Sequence, residues 1–171
     1  DEPWLVERLT TLRDGDLAEF AAEREAQLIK ATGCRNVRLY LNVDSLRDSA
    51  VREQPDAHKL PELDAAIAIA LKQDLAVIVD PFHYGAGGLL KFPGPADPEA
   101  DVMVKFWGAL AKHLAQHDPE RVFLEVANEP GLDNPLDWYA VEIRVRKAMR
   151  ENAPRHTLIA GYNMRASKND W

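Results

Sequence analysis

Three features of the sequence predict an α/β fold built on parallel strands. The order strand, loop, helix recurs three times, and a fourth strand begins another round. The run Leu75-Ala76-Val77-Ile78-Val79-Asp80 is apolar up to its last residue, as expected of a strand covered on both faces in a parallel sheet. Asp80 and Glu129 each close a strand-like run and each precede a proline, and the carboxyl ends of parallel strands are where such folds keep their working polar groups.

Each element follows from local pattern. In residues 1–15, Trp4, Leu5, Val6, Leu9 and Leu12 have the spacing of a short helix before the turn Asp14-Gly15-Asp16. From Leu17 to Thr32, the residues Leu17, Phe20, Ala21, Leu28 and Ile29 recur on a helical period, with Gly33 as the stop. Asn36 to Leu41 reads as a strand and Asp44 to His58 as a loop. Pro61 to Lys72 is a helix with proline in its first turn and an apolar face of Leu63, Ile67, Ala70 and Leu71, ended at Asp74. After the Leu75–Asp80 strand, the Gly- and Pro-rich stretch from Tyr84 to Pro98 is long enough for an active-site loop. Asp101 to Gln116 is a helix with Phe106, Trp107, Leu110 and Leu114 for packing. Its end carries His113 and His117 four apart, the spacing of a ligand pair, but also the place where a helix dipole favours imidazole. The run from Arg121 to Glu129 is a strand stopped by Pro130, Leu136 to Asn152 a helix broken by Pro154, and His156 to Ala160 a last strand.

Composition narrows the class. With 171 residues, 46% hydrophobic and 29% charged, the chain suits one globular domain spanning residues 1–171. A formal charge of −7 with no concentrated basic face argues against nucleic acid as a partner, and a neutral or small substrate fits better. No run is long and apolar enough to cross a bilayer, which argues against a membrane partner, and the first residues show no export signal. Cys34 is the single cysteine; it forms no internal disulfide and is expected to be a buried small residue.

The stretch Arg121 to Pro130 carries the chemistry. An apolar strand delivers Glu129 to its carboxyl end, and Pro130 stops the strand for want of an N–H. Glu129 reads as a catalytic acid/base with Asn128 as its substrate-positioning neighbour, or equally as a solvated strand-end carboxylate before a turn. Glu125 lies mid-strand, where an unpaired charge is costly, so a cation such as Arg38 or Arg35 is expected opposite it. Asp80 is expected to bond backbone at the top of its strand. Tyr84, Trp138 and Trp171 offer faces on which a sugar ring can stack, although Trp138 has the helical spacing of a core residue.

The ordered set Gly33 to Arg38, a helix, Leu75 to Asp80 with His83, Phe106-Trp107 and then Val122 to Pro130 resembles glycoside hydrolase family 5, the cellulase-type retaining glycosidases, over roughly residues 17–165. The resemblance implies a partial (β/α)8 barrel of about four parallel strands with flanking helices. It makes Glu129 the general acid/base, Asn128 the partner of the sugar 2-hydroxyl, Arg38 the arginine supporting the nucleophile, and His83 the third-strand histidine, with Tyr84 beside it in substrate binding. In the family that histidine commonly stands two residues after the aspartate, whereas His83 stands three after Asp80. The implied partner is an oligo- or polysaccharide, the implied location secreted or periplasmic, and no cofactor or metal is called for.

Retaining hydrolysis needs two carboxyls about 5 Å apart, one donating a proton to the leaving oxygen and one attacking the anomeric carbon. The family carries its nucleophile on the seventh strand, for which this sequence has no counterpart, since a whole barrel takes about 250 residues. A half barrel beginning after the family's first strand and exposing its edge strands is therefore expected to self-associate or to take a barrel-completing partner. Two other classes stay open: a non-catalytic carbohydrate-binding remnant that keeps Asn128, Arg38 and aromatic platforms, and a metal-dependent hydrolase using Asp80, His83 and Glu129 on neighbouring strand ends.

Overall fold

A computed structural model describes residues 11–12, 23–82, 94–128, 130, 132 and 134–160. Five strands, β1 (Thr11–Leu12), β2 (Asn36–Asn42), β3 (Ala76–Phe82), β4 (Val122–Glu125) and β5 (Leu158–Ile159), form one sheet in sequence order, every neighbouring pair parallel. Five helices, α1 (Glu23–Ala31), α2 (Val43–Leu46), α3 (Leu60–Lys72), α4 (Pro98–Leu114) and α5 (Pro135–Asn152), occupy the connections. A parallel sheet whose strand order never reverses is singly wound, the topology of a stretch of (β/α)8 barrel rather than of a doubly wound open sheet.

Two expectations change here. Thr11 and Leu12 are a strand, not part of a helix, and they pair with Tyr40 and Leu41, so a first strand precedes the Arg38 strand and the count is five. The loop after β2 opens with a helical turn, α2, because the Asn42 side chain accepts from Ser45 N at 3.2 Å and Val43 and Leu46 bury themselves.

Helix ends obey local chemistry. Asp97 and Asn134 cap α4 and α5 through their side-chain oxygens, each followed by proline at the first helical position. That moves the start of α4 to Pro98, ahead of the Asp101 expected from apolar spacing. Gly33 leaves α1 at φ 89°, and Asp74 leaves α3 at φ 56°, the left-handed region at a helix exit.

Alternation along the strands sorts the side chains. Val37, Leu39 and Leu41 of β2, Val77 and Val79 of β3, and Val122 and Leu124 of β4 are buried in one core with Leu63, Ile67, Phe106, Trp107 and Trp138 of the helices. The opposite face carries Arg38, Tyr40, Ile78, Asp80, Phe123 and Glu125. This second face would line the inside of a barrel.

His113 and His117 are explained by a partner from another element rather than by the helix dipole alone. Each places its Nε2 2.9 Å from Oδ1 of Asp64 on α3, tying α4 to α3. Cys34 is half-buried, its sulfur accepting from Thr32 Oγ1 at 3.2 Å, instead of lying in the core.

Candidate active site

The inward face of the sheet gathers its polar groups where β2, β3 and β4 end. Register sets Tyr40 beside Asp80, and because Val79 pairs with Leu124 the next residues across are Asp80 and Glu125. Arg38, two residues earlier on β2 and on the same face, reaches up into this row.

Arg38 organises the cluster. Its Nε donates to Glu125 Oε2 at 2.6 Å and its Nη2 to Glu125 Oε1, a two-pronged pair; Nη1 donates to the Tyr40 hydroxyl at 2.9 Å. Nη2 also donates to Asn128 Oδ1 at 2.9 Å. Since a guanidinium has only donors, this bond decides which end of the Asn128 amide faces Arg38 and turns Nδ2 the other way. Glu125 is the last residue of β4, four positions before the Glu129 at which the sequence pattern ends the strand; the cation opposite it is Arg38, and Arg35 plays no part in that pair.

The backbone leading to Asn128 is pinned from both sides. Trp107 of α4 donates its indole N–H to Val126 O at 2.6 Å, and Val126 N donates to Ile159 O of β5 at 2.9 Å. Val126 and Ala127 are fully buried, so Asn128 projects from a rigid turn. Glu129 follows immediately in the chain and lies outside the described residues, as do His83, Tyr84 and Trp171.

Asp80 differs from its expected role. Its carboxyl is wholly buried and, among the described residues, accepts no hydrogen bond from backbone or side chain; Arg38 Nη2 lies 3.2 Å from its Oδ2. Burial, and then the negative Glu125 beside it, push its pKa up to about 8 although Arg38 pulls the other way. Burial works against the charged form of Arg38 as well, but the Glu125 hydrogen bond and the two neighbouring carboxyls outweigh it and raise its pKa. Burial likewise lifts the Tyr40 phenol, against the pull of Arg38. One cation facing two carboxyls is balanced when one of them keeps its proton. No sequence motif marks Asp80 for this; the signal is its register beside Glu125.

Trp138 is fully buried and belongs to the core, not to a sugar platform. Among the described residues, no group of three or more His, Cys, Asp or Glu side chains is arranged to hold a metal ion, and no helix is long and apolar enough to cross a membrane.

A singly wound sheet with buried carboxyls and an arginine at its strand ends defines a barrel-type α/β protein with a polar site at the carboxyl end. The family model for Cellulase (glycosyl hydrolase family 5) matches residues 11–170, and the chain belongs to that family. No curated protein matches it. Among solved structures, it is similar to endoglucanase Cel5A from the hyperthermophilic Thermotoga maritima, at 21% identity and TM-score 0.72 over 82% of this chain and 44% of that one. Structures of that protein in complex with mannotriose substrate and with cellobiose match in the same way. The cellulose synthase subunit Z of Clostridioides difficile matches at 21% identity and TM-score 0.71, over 84% of this chain and 46% of that one. The chain thus spans less than half the length of these structures, and at these identities they show a shared fold: part of a TIM barrel.

Proposed function

We propose that this chain provides the acid/base half of a retaining β-glycosidase of the cellulase or endoglucanase type, acting on O-glycosidic bonds of an oligo- or polysaccharide. Glu129 is the general acid that protonates the leaving oxygen and the base that later activates water. Asn128 donates to the sugar 2-hydroxyl, Arg38 supports the carboxylate nucleophile, and His83 and Tyr84 contact the sugar. The nucleophile belongs to a later part of the barrel, which a barrel-completing partner or continuation supplies. A secreted or periplasmic location goes with a polymeric substrate.

The observation that carries this reading is the Arg38–Asn128 bond. It spends the amide oxygen on the guanidinium and leaves Nδ2 aimed away from it, which suits a group meant to donate to a hydroxyl. The ligands in the Thermotoga maritima structures, cellobiose and mannotriose, supply the first probes.

Titrating the protein with cello- and manno-oligosaccharides, while following reducing-end release, tests it. Expected are weak binding that Asn128→Ala reduces about five- to tenfold, consistent with loss of a hydrogen bond worth about 1–1.5 kcal/mol, and little or no turnover. Robust hydrolysis abolished by Glu129→Gln would show that a nucleophile lies within these residues. Binding that Asn128→Ala weakens but Glu129→Gln leaves untouched, with no turnover, would favour a non-catalytic remnant that keeps Asn128 and Arg38 for binding alone, and binding untouched by both substitutions would overturn the site.

A further inference from the structure

Three oxygens surround Arg38 Nη2, which has two hydrogens to give. Glu125 Oε1 takes one and Asn128 Oδ1, at 2.9 Å, takes the other. Asp80 Oδ2 lies 3.2 Å from the same nitrogen, fully buried, and receives none. A buried carboxyl oxygen that receives no hydrogen bond among the described residues, just beyond an occupied donor, is an arrangement with a second state close at hand.

We propose that Asp80 is a positioning residue that sets, through Arg38, the hydrogen bond holding the Asn128 amide. With Asp80 protonated, the Nη2 hydrogen stays on Asn128. With Asp80 ionised, a charged acceptor competes with a neutral amide for that hydrogen, and charge-assisted bonds are roughly twice as strong. The Nη2–H, keeping its proton, then turns to donate to Asp80 Oδ2 over a few tenths of an ångström, and the Asn128 amide is released to turn. The proton lost by Asp80 goes to solvent past Arg38, whose side chain is 27% exposed.

The groups facing Asp80 agree with this direction. Arg38 and Tyr40 approach from β2 and Glu125 from β4, so Arg38 is the sole cation among the described residues of these strands to act on it. Burial first and Glu125 second keep the proton on Asp80 until mildly alkaline pH, about 8. The relay itself needs only the geometry; its consequence for sugar binding rests on the function proposed above.

Side-chain NMR of the 171-residue protein, following the Asp80 carboxyl carbon and the Asn128 Nδ2 amide between about pH 6 and about pH 10, tests the coupling. Both signals are expected to move with one midpoint, while in Asp80→Asn the Asn128 amide stays at its low-pH position throughout. An Asn128 amide that stays still while Asp80 titrates, or that moves equally in Asp80→Asn, overturns the proposal. The wild-type titration decides the matter even if that variant folds poorly. Adding cellobiose separates the two readings: coupled signals in a protein that binds no sugar uphold the Asp80 relay and count against the glycosidase assignment alone.

Discussion

Arg38 holds together a site that neither carboxyl would tolerate alone. Glu125 is 5% exposed, so replacing Arg38 by alanine strands a buried charge, and a loss of about 3 kcal/mol or more in denaturant unfolding is expected. Arg38→Lys should recover little of it, because an ammonium cannot present two parallel N–H groups to one carboxylate. Asp80 makes the opposite prediction for pH. Its folded pKa of about 8 lies above the ordinary 3.8, so between these values the folded state holds more protons than the unfolded one. Stability contributed by the neutral carboxyl is therefore complete below about pH 4, is lost progressively as pH rises, and is gone above about pH 8. Thermal melts should show Asp80→Asn flattening this slope and melting higher than wild type at pH 8. The Glu125 pair was legible because a charge inside an apolar run demands a cation. Asp80 was not, since a strand-end acid looks the same in sequence whether solvent or another carboxyl faces it.

Helices α4 and α5 approach closely at Gly108, with room for a methyl group and little more. A β-carbon on Gly108 would meet Ala148 Cβ and Asn152 Nδ2 at 3.4 Å each, the near limit of ordinary contact. Gly108→Ala is expected to be tolerated within about 1 kcal/mol, the gain in helix propensity offsetting the crowding. Gly108→Leu should cost about 1–3 kcal/mol by forcing the helices apart, and chemical denaturation of the pair would show the contrast. Elements of this kind were read correctly from periodicity, with α4 displaced only because its Asp97-Pro98 cap outranks apolar spacing as a start signal. What periodicity cannot supply is the neighbour across the interface. The His113 and His117 pair was visible, but Asp64, which binds both, lies about fifty positions earlier on α3. The two-residue β1 was missed for the reverse reason: its strand character comes from pairing with Tyr40 and Leu41, not from its own sequence.

At the scale of the whole molecule, a sheet wound in one direction has two ends to close. Among the described residues, β1 and β5 pair on one side each, and β5 offers the backbone of Leu158 and Ile159 beyond its bonds to β4. Beside that end, Leu136, Tyr139 and Ile143 of α5 stand 70%, 40% and 64% exposed at i, i+3 and i+7, a stripe at helical spacing. Ile143 and Leu158 also line a groove of about 490 Å³ with Ala160, Arg146, Lys147 and Arg150. An apolar stripe flanked by cations beside a sheet edge suits the next strand and an acidic helix of a barrel, and in their absence it suits the surface of another copy, whose net charge is negative. The 171-residue protein is therefore expected to associate reversibly as its concentration rises, more weakly at high salt, and Leu136→Lys combined with Ile143→Lys should shift it toward monomer. Sedimentation velocity across a concentration series reads this directly. A compact monomer at every concentration, unchanged by the two substitutions, would mean that the stripe and the β5 edge are not the surfaces by which this part of the barrel is closed.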